Sequence, residues 1–267
     1  MAARDPVRVE RSGAVAKVVL ARPEVHNAFD DRMIAALTGI LEELGADPAV
    51  RLLVLGGEGR SFSAGADLAW MRRMAEYDFA RNLEDARALE RMLRTLDRCP
   101  KPTIARVHGA ALGGGVGLVA ACDIAVASAA ASFALSEVRL GLVPAVVSPF
   151  VLRAMGPRAC RRYFLTGERF TAFEALRLGL VHEVVAEEAL DRRVEQLVAE
   201  LLEGGPEAQA EAKNLLRLIP TLEGSLLAEA TAKLIAERRA SAEGREGITA
   251  FLEKRAPAWR QDRAPSS

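Results

Sequence analysis

Residues 108–127 read HGAALGGGVGLVAACDIAVA, in which a glycine-rich turn precedes a run of small residues. Short strands are predicted on both sides, over 103–107 and 124–127, and the small residues between them predict a buried helix. A strand, a glycine turn, a helix and a second strand make up a β/α unit. The stretch therefore predicts an α/β fold.

The residues before this unit repeat its alternation of strands and helices. Asp30 is a suitable N-cap for the first long helix, because its carboxylate can accept a backbone N–H of the first turn. The predicted elements are a hairpin over 7–20, a helix over 31–44, a strand over 52–55 and helices over 66–74 and 77–98.

The residues after the unit become almost wholly helical. A strand is predicted over 132–135, and the later elements are helices over 157–165, 171–178, 187–202, 206–218, 222–239 and 245–255. We therefore predict a β/α core over residues 1–200 and a helical region over 201–267.

The composition excludes two broad classes of protein. The 267 residues include 36 Lys and Arg and 36 Asp and Glu, so the formal net charge is zero, and half of the residues are apolar. Intrinsic disorder needs lower hydrophobicity and higher net charge. Nucleic-acid binding is normally accompanied by a basic excess, which this chain lacks.

Metal binding, secretion and membrane insertion have no sequence signal here. The three Cys and three His are scattered without metal-ligand spacing, so no metal site is predicted. The first six residues contain no apolar run, and the long apolar stretch over 109–135 is interrupted by Asp123. We expect a cytoplasmic protein that does not span a membrane.

The glycine turn is compatible with two kinds of site. Gly115, Gly117 and Ala120 satisfy a loose dinucleotide-binding fingerprint, but they lie more than 100 residues into the chain instead of after the first strand. The alternative is an oxyanion hole. A second small-residue turn, over 61–68, also leads into a predicted helix, and one N–H from each turn can converge on one oxygen.

Seven segments, in the right order, resemble the crotonase superfamily, the enoyl-CoA hydratases and isomerases. Together they extend over roughly residues 7–257. They are 22–28 (RPEVHNA), 63–68 (SAGADL), 108–115 (HGAALGGG) with 121–125 (ACDIA), 133–144 (FALSEVRLGLVP), 165–167 (LTG), 175–181 (ALRLGLV) and 251–255 (FLEKR). The resemblance implies a crotonase-like spiral of ββα turns, followed by a helical C-terminal trimerisation region.

The resemblance also implies site residues, position by position. Glu137 would be the catalytic carboxylate, and the N–H groups of Ala66 and Gly114 would form the oxyanion hole. The implied CoA-binding residues are Ala28, Ala64, Ala66, Asp67, Leu68, Ala69 and Gly114, with Phe251 and Lys254 contacting the CoA of a neighbouring subunit. Asp67 is equally suited to cap the helix that it begins.

The same resemblance implies the partners. These are an acyl-CoA thioester and further copies of the chain, in a homotrimer or a hexamer. No cofactor is implied besides the CoA of the substrate.

One position departs from the pattern of the hydratases. A second catalytic Glu usually lies two residues after the GGG, where this chain has Gly117. Hydration needs one group to deprotonate water and one to protonate Cα, whereas a single base can shuttle one proton. Three functions therefore remain open: a lyase that adds water across the 2,3 double bond, a Δ3,Δ2-enoyl-CoA isomerase that uses Glu137, and a catalytically degenerate acyl-CoA-binding protein.

The segments around Gly117 and Glu137 resemble one branch in particular, the hydratases of methylglutaconyl-type and isohexenylglutaconyl-type CoA esters. In that branch Gly replaces the first Glu, and the substrates carry an additional carboxylate. Arg139 is a candidate partner for that carboxylate. The alternative is that Arg139 is a solvated surface residue.

Overall fold

The computed structural model describes residues 5–261. The chain divides into two compact units. The first consists of the residues up to Cys99 together with Thr103–Gln196, and the second of Pro100–Pro102 and the chain from Leu197 onward. This division and the predicted domain boundary after residue 200 both fall within one helix, Leu190–Glu203.

Ten strands are described in the first unit. Numbered along the chain, they are β1 Val7–Ser12, β2 Val15–Leu20, β3 Leu52–Gly57, β4 Ser61–Ser63, β5 Thr103–Val107, β6 Ala110–Leu112, β7 Ile124–Ser128, β8 Ser132–Ala134, β9 Phe170–Thr171 and β10 Glu183–Val185.

The strands form two sheets. The larger sheet has the order β1-β2-β3-β5-β7-β10, in which β1 and β2 form the predicted antiparallel hairpin and all later neighbours are parallel. The smaller sheet has the order β4-β6-β8-β9, in which β4, β6 and β8 are parallel and β9 is antiparallel to β8.

The helices that begin in the first unit follow these strand pairs. They are α1 Asp31–Ala46, α2 Leu68–Met74, α3 Phe79–Asp97, α4 Gly114–Ala121, α5 Ser148–Thr166, α6 Ala172–Leu178 and α7 Leu190–Glu203. From β3 to α5, each turn of the chain adds a strand to the larger sheet, then a strand to the smaller sheet, and then one or two helices; after α5 the order changes to β9 of the smaller sheet, α6, and β10 of the larger sheet. The predicted spiral of ββα turns is confirmed.

Local sequence explains the helix α1 well. The Asp30 carboxylate accepts the backbone N–H of Met33 at 2.8 Å, which is the predicted N-cap. The helical period places Met33, Leu37, Ile40, Leu41 and Leu44 on one apolar stripe, of which Ile40 is half-buried and the other four are buried in the core. The helix runs on to Ala46, two residues beyond the predicted end at residue 44, and therefore includes Gly45.

Two differences from prediction have clear causes. The strands β4 and β6 have three residues each and lie inside segments rich in Gly, Ser and Ala, which the sequence pattern presents as turns. The predicted helix over 157–165 is only the second part of α5, which begins at Ser148 and is interrupted at Gly156, with φ 75° and ψ 165°, just before Pro157. That non-helical residue divides α5 into two helical segments, of which the sequence pattern indicates only the second.

The second unit is helical. Besides the end of α7 it contains α8 Pro206–Leu218, α9 Gly224–Ala240, α10 Ala242–Leu252 and α11 Ala258–Gln261. Lys213 of α8 is buried and donates from Nζ to the carbonyl oxygen of Lys101 at 2.9 Å, which joins the short segment Pro100–Pro102 to this unit.

No helix within residues 5–261 combines the length and the apolar composition needed to cross a lipid bilayer.

Candidate active site

Three neighbouring strands of the smaller sheet lead into the predicted site residues. Because β4, β6 and β8 are parallel, their carboxyl ends lie at the same edge of the sheet. The turn after β4 carries Ala66, the turn after β6 carries Gly114, and the turn after β8 carries Glu137. The topology thus delivers the three predicted catalytic groups to one edge.

The turns after β4 and β6 lie directly against each other. A Cβ atom placed on Gly65, whose φ is 85°, would lie 2.9 Å from the carbonyl oxygen of Leu112. A Cβ atom on Gly115 would lie 2.7 Å from the carbonyl oxygen of Ser63. Only glycine permits this approach of the two backbones, which brings the flanking N–H groups of both turns into one region.

The N–H group of Ala66 remains free for a ligand. Phe29 forms a parallel bridge with Ala66, in which the Phe29 N–H donates to Gly65 O at 2.6 Å and the Asp67 N–H donates to Phe29 O at 2.8 Å. In a parallel bridge the central residue directs its own N–H away from the partner strand. No acceptor within residues 5–261 takes the Ala66 N–H.

The N–H group of Gly114 is free for a different reason. Gly114 is the first residue of α4, and the N–H groups of a first helical turn have no acceptor within the helix. These groups also lie at the positive end of the helix dipole. The Phe29 ring packs on this residue, since a Cβ atom on Gly114 would lie 2.5 Å from Cε2 of Phe29.

The carboxyl group of Glu137 lies over the same glycine turn. Its Oε1 is 3.1 Å from the position that a Cβ atom on Gly113 would take. Its Oε2 is buried and has no hydrogen-bond partner within the described chain. Burial raises the pKa of this carboxyl above 4.5 and outweighs a hydrogen bond from its own backbone N–H, so the protonated form persists to higher pH.

The position of the absent second acid is filled by apolar side chains. Gly117 is buried in α4, and a Cβ atom there would lie 2.5 Å from Cγ1 of Val147 and 3.3 Å from Cδ1 of Leu93. The departure at Gly117 is therefore more than a missing carboxylate, because the neighbouring side chains leave no room for one.

The side chain of Asp67 forms hydrogen bonds within the protein. Its Oδ1 accepts the N–H groups of Ala69 and Trp70 at 2.7 and 3.2 Å, and its Oδ2 accepts Nη2 of Arg22 at 2.8 Å. Burial opposes ionisation, but these hydrogen bonds and the Arg22 charge outweigh it and lower the pKa of Asp67. The structure thus shows the N-cap of α2, and contact of Asp67 with CoA stays a prediction.

The other predicted CoA-binding residues of the first unit lie on the same two segments. The Ala28 carbonyl accepts Nη1 of Arg22 at 2.8 Å, and the Ala64 N–H donates to the His26 carbonyl at 2.9 Å. Leu68 and Ala69, in the first turn of α2, are exposed, Leu68 to 72%. The exposed Leu68 lies directly after the Ala66 turn, and its contact with an acyl-CoA ligand stays a prediction.

Phe251 and Lys254 lie in the second unit, at the carboxyl end of α10 and just after it. Phe251 is 81% exposed, and Lys254 has a left-handed backbone with φ 56°. Their contact with the CoA of a neighbouring subunit stays a prediction.

Arg139 is exposed and packs on the end of α5. Its Nε lies 3.2 Å from the position of a Cβ atom on Gly167. Both predicted environments of the Arg139 side chain, a substrate carboxylate and bulk solvent, are compatible with this position.

Two polar residues near the glycine-rich stretch support the strands. His108 donates from Nε2 to the Gly59 carbonyl at 3.1 Å, while its Nδ1 accepts from Nη1 of Arg106 at 3.3 Å. Burial and the Arg106 charge lower the pKa of His108, which favours this neutral form. Asp123 Oδ2 accepts both the N–H and the hydroxyl of Thr103 at 2.8 Å.

Sequence reasoning missed the separate roles of two residues in the segment 22–28. Asn27 is fully buried and has a left-handed backbone with φ 54°. Its side-chain oxygen accepts the Arg22 N–H, and its side-chain nitrogen donates to the carbonyls of Glu58 and Ser61. Arg22 contacts both turns that begin α1 and α2. The available signal was Asn itself, since it adopts the left-handed conformation more readily than other non-glycine residues.

Within the described residues, no cluster of three or more His, Cys, Asp and Glu side chains is arranged to hold a metal ion. The candidate site brings together two N–H donors and the partly buried carboxyl of Glu137. Such a site can bind a thioester oxygen and move a proton on the adjacent carbon atoms.

Comparisons with known proteins agree with this class of site. The sequence profile of the family described as Enoyl-CoA hydratase/isomerase matches residues 10–262. An enoyl-CoA hydratase crystal structure from Shewanella pealeana superposes with a TM-score of 0.93 at 45% identity, covering 95% of this chain and 96% of that one. The chain belongs to the enoyl-CoA hydratase/isomerase family.

Two relatives have more specific names. The 2,3-dehydroadipyl-CoA hydratase of Escherichia coli K12 is 34% identical over 252 residues, which are 93% of this chain and 96% of that protein. The (E)-benzylidenesuccinyl-CoA hydratase of Thauera aromatica is 34% identical over 260 residues, or 96% and 99% of the two chains.

Proposed function

We propose that this protein adds water reversibly across the 2,3 double bond of an enoyl-CoA thioester. The observation that carries the proposal is the meeting of the Ala66 turn, the Gly114 turn and Glu137 at the carboxyl edge of three parallel strands. The names of the matching relatives, which are hydratases of CoA esters, support hydration over double-bond isomerisation.

The two N–H donors supply the electrostatic part of the reaction. The thioester oxygen accepts the N–H groups of Ala66 and Gly114. As water attacks C3, negative charge develops on that oxygen, and donors already in place stabilise it without reorganisation.

Glu137 supplies the proton transfers. The oxygen of the attacking water forms a bond to C3, and the water gives one proton to an oxygen of the Glu137 carboxyl. The proton already held by that carboxyl passes to C2, so that the carboxyl ends the step as it began. A single group serves both transfers, because Val147 and Leu93 fill the place of a second acid beside Gly117.

The remaining assignments rest on the family pattern. We propose that Phe251 and Lys254 contact the CoA of a neighbouring subunit in a homotrimer or hexamer, that no cofactor is needed beyond the CoA of the substrate, and that the protein acts in the cytoplasm. The branch acting on methylglutaconyl-type esters stays a proposal too. The two relatives whose named acyl groups carry a second carboxylate support it.

A panel of CoA esters tests the proposed function. We expect at least one 2-enoyl-CoA ester to lose the ultraviolet absorbance of its conjugated thioester when the protein is added, with a 3-hydroxyacyl-CoA as product. The panel should include straight-chain 2-enoyl, straight-chain 3-enoyl and glutaconyl esters, with a saturated ester as control. Gain of conjugated absorbance from 3-enoyl esters, with no reaction of any 2-enoyl ester, would identify an isomerase instead.

Restoring the absent acid is expected to fail in this chain. Gly117→Glu should lower the free energy of unfolding by at least about 2 kcal/mol, because its Cβ would overlap Val147 and its carboxyl would be buried. We expect its hydration rate to be no higher than that of the unmodified protein. Thermal unfolding and hydration assays measure both effects.

The matched variant is Gly117→Glu combined with Val147→Ala, which removes the closest contact and should regain part of the stability. Val147→Ala alone is the control for the cavity. A stable Gly117→Glu protein with faster hydration would contradict the packing described for this position.

A further inference from the structure

The guanidinium group of Arg22 is held between the two segments that precede α1 and α2. Its Nη1 donates to the Ala28 carbonyl at 2.8 Å and lies 3.1 Å from Oδ2 of Asp30, and its Nη2 donates to Oδ2 of Asp67 at 2.8 Å. Only 18% of the side chain is exposed. The charge is therefore directed at three oxygens and is largely withdrawn from solvent.

A continuous series of hydrogen bonds leads from this guanidinium to the oxyanion hole. Nη1 of Arg22 donates to the carbonyl of Ala28, and the same planar peptide presents the Phe29 N–H. The Phe29 N–H donates to the Gly65 carbonyl at 2.6 Å, and that peptide presents the Ala66 N–H. Two peptide groups thus connect a fixed positive charge to the Ala66 N–H, which has no acceptor among residues 5–261.

Such a series sets both the direction and the strength of its last donor. An N–H and a C=O of one peptide point in opposite directions, so fixing the Gly65 carbonyl fixes where the Ala66 N–H points. Hydrogen bonds in series also polarise one another, by about 10–30% per bond. A cation at the head of the series makes the terminal N–H a better donor to a developing oxyanion.

The two carboxylates beside Arg22 hold it in place. Asp30 uses Oδ1 to accept the Met33 N–H, and Asp67 uses Oδ1 to accept the Ala69 N–H, so each helix cap leaves its Oδ2 to Arg22. Phe29, which lies between them, also packs its ring on Gly114. A shift of this segment would thus disturb the second donor as well.

We propose that Arg22 is a positioning residue for the oxyanion hole, which orients and polarises the Ala66 N–H through the peptides 28–29 and 65–66. This inference rests on the proposed function, because it assigns Arg22 a part in binding the thioester oxygen. The planar guanidinium reaches the three oxygens through two nitrogens at a fixed spacing, whereas the ammonium of Lys is a single nitrogen on a flexible stem.

The test combines kinetics with a spectroscopic probe. The probe is the CoA thioester of an aryl-conjugated 2-enoic acid, whose absorption moves to longer wavelength when its carbonyl oxygen is polarised. For Arg22→Met we expect kcat to fall roughly tenfold, a part of the 100- to 1,000-fold that a whole donor supplies, and KM to change by less than about threefold. The red shift of the bound probe should shrink.

Three further variants separate the causes. Arg22→Lys keeps the charge and should restore part of both kcat and the red shift; it also carries the test if Arg22→Met does not fold. Asp67→Asn leaves the bond from Arg22 to Ala28 in place and should have a smaller effect than Arg22→Met. Arg193→Lys changes a bidentate pair with Glu183 outside the site and should leave kcat and the red shift unchanged.

Two results would overturn the inference. In the first, Arg22→Met lowers the free energy of unfolding but leaves the red shift and kcat unchanged, which would make Arg22 a purely structural residue. If Arg22→Met does not fold, the same result for Arg22→Lys has the same meaning. The other is a native protein that binds the probe without any red shift. If the native protein shifts the probe absorption but hydrates no ester, only the proposed function is overturned. Loss of the shift in Arg22→Met would then still support the role of Arg22 in positioning the Ala66 N–H.

Discussion

Glu137→Gln is expected to lower the hydration rate at least about 100-fold, the lower limit for loss of a general acid–base group. The amide has nearly the shape of the carboxyl, but it can neither accept the proton of the attacking water nor deliver one to C2. The buried, unpartnered Oε2 and the position of Oε1 over the Gly113 turn are the structural basis of this expectation. The assay is loss of conjugated thioester absorbance.

The same substitution should leave folding intact. Since burial raises the pKa of Glu137 above the value of the unfolded chain, its ionisation costs stability as pH rises above 4.5. A neutral Gln avoids that cost, so the free energy of unfolding near neutral pH should be no lower than in the native protein. Glu84→Gln, at an exposed site on α3, is the matched control. Native activity in Glu137→Gln would exclude this carboxyl from the reaction.

Gly114→Pro is expected to hydrate about 100- to 1,000-fold more slowly than Gly114→Ala. Both variants add a Cβ atom that meets the Phe29 ring, so both share the packing strain that this atom causes. Only Pro removes the N–H donor. Because Gly114 is the first residue of α4, Pro there removes no hydrogen bond within the helix.

The ratio of the two variants therefore isolates the donor. Binding of a saturated acyl-CoA, measured by calorimetry, should differ little between them, because the donor acts mainly in the transition state. Equal hydration rates of the Pro and Ala variants would remove the Gly114 N–H from the oxyanion hole.

The sequence predicted much of the fold because many of its causes are local. The cap at Asp30 acts on an N–H three residues away, and the stripe of Met33, Leu37, Leu41 and Leu44 follows from helical periodicity alone. The short strands β4 and β6 were missed because they lie inside small-residue segments that the sequence pattern presents as turns. They matter most for function, since their carboxyl ends carry Ala66 and Gly114.

The resemblance of seven segments identified the family, and the profile match and the superposition confirm it. The roles of single residues were harder to predict. Asp67 lies in a family segment, yet its side chain caps α2 and pairs with Arg22. A sequence motif states that a residue type recurs at a position, whereas it does not state which atoms the side chain contacts.

By itself, the sequence determined the α/β class, the order of most elements, the family and Glu137 as the candidate acid, because capping, periodicity and motif order are readable over short spans. Only the tertiary structure decided that Val147, 30 residues beyond Gly117, fills the place of a second acid, and that Arg22 reaches an Asp67 that is 45 residues away. Contacts over such separations depend on how the strands stack and on where two backbones approach so closely that only glycine fits between them. These are properties of packing, and no local pattern encodes them.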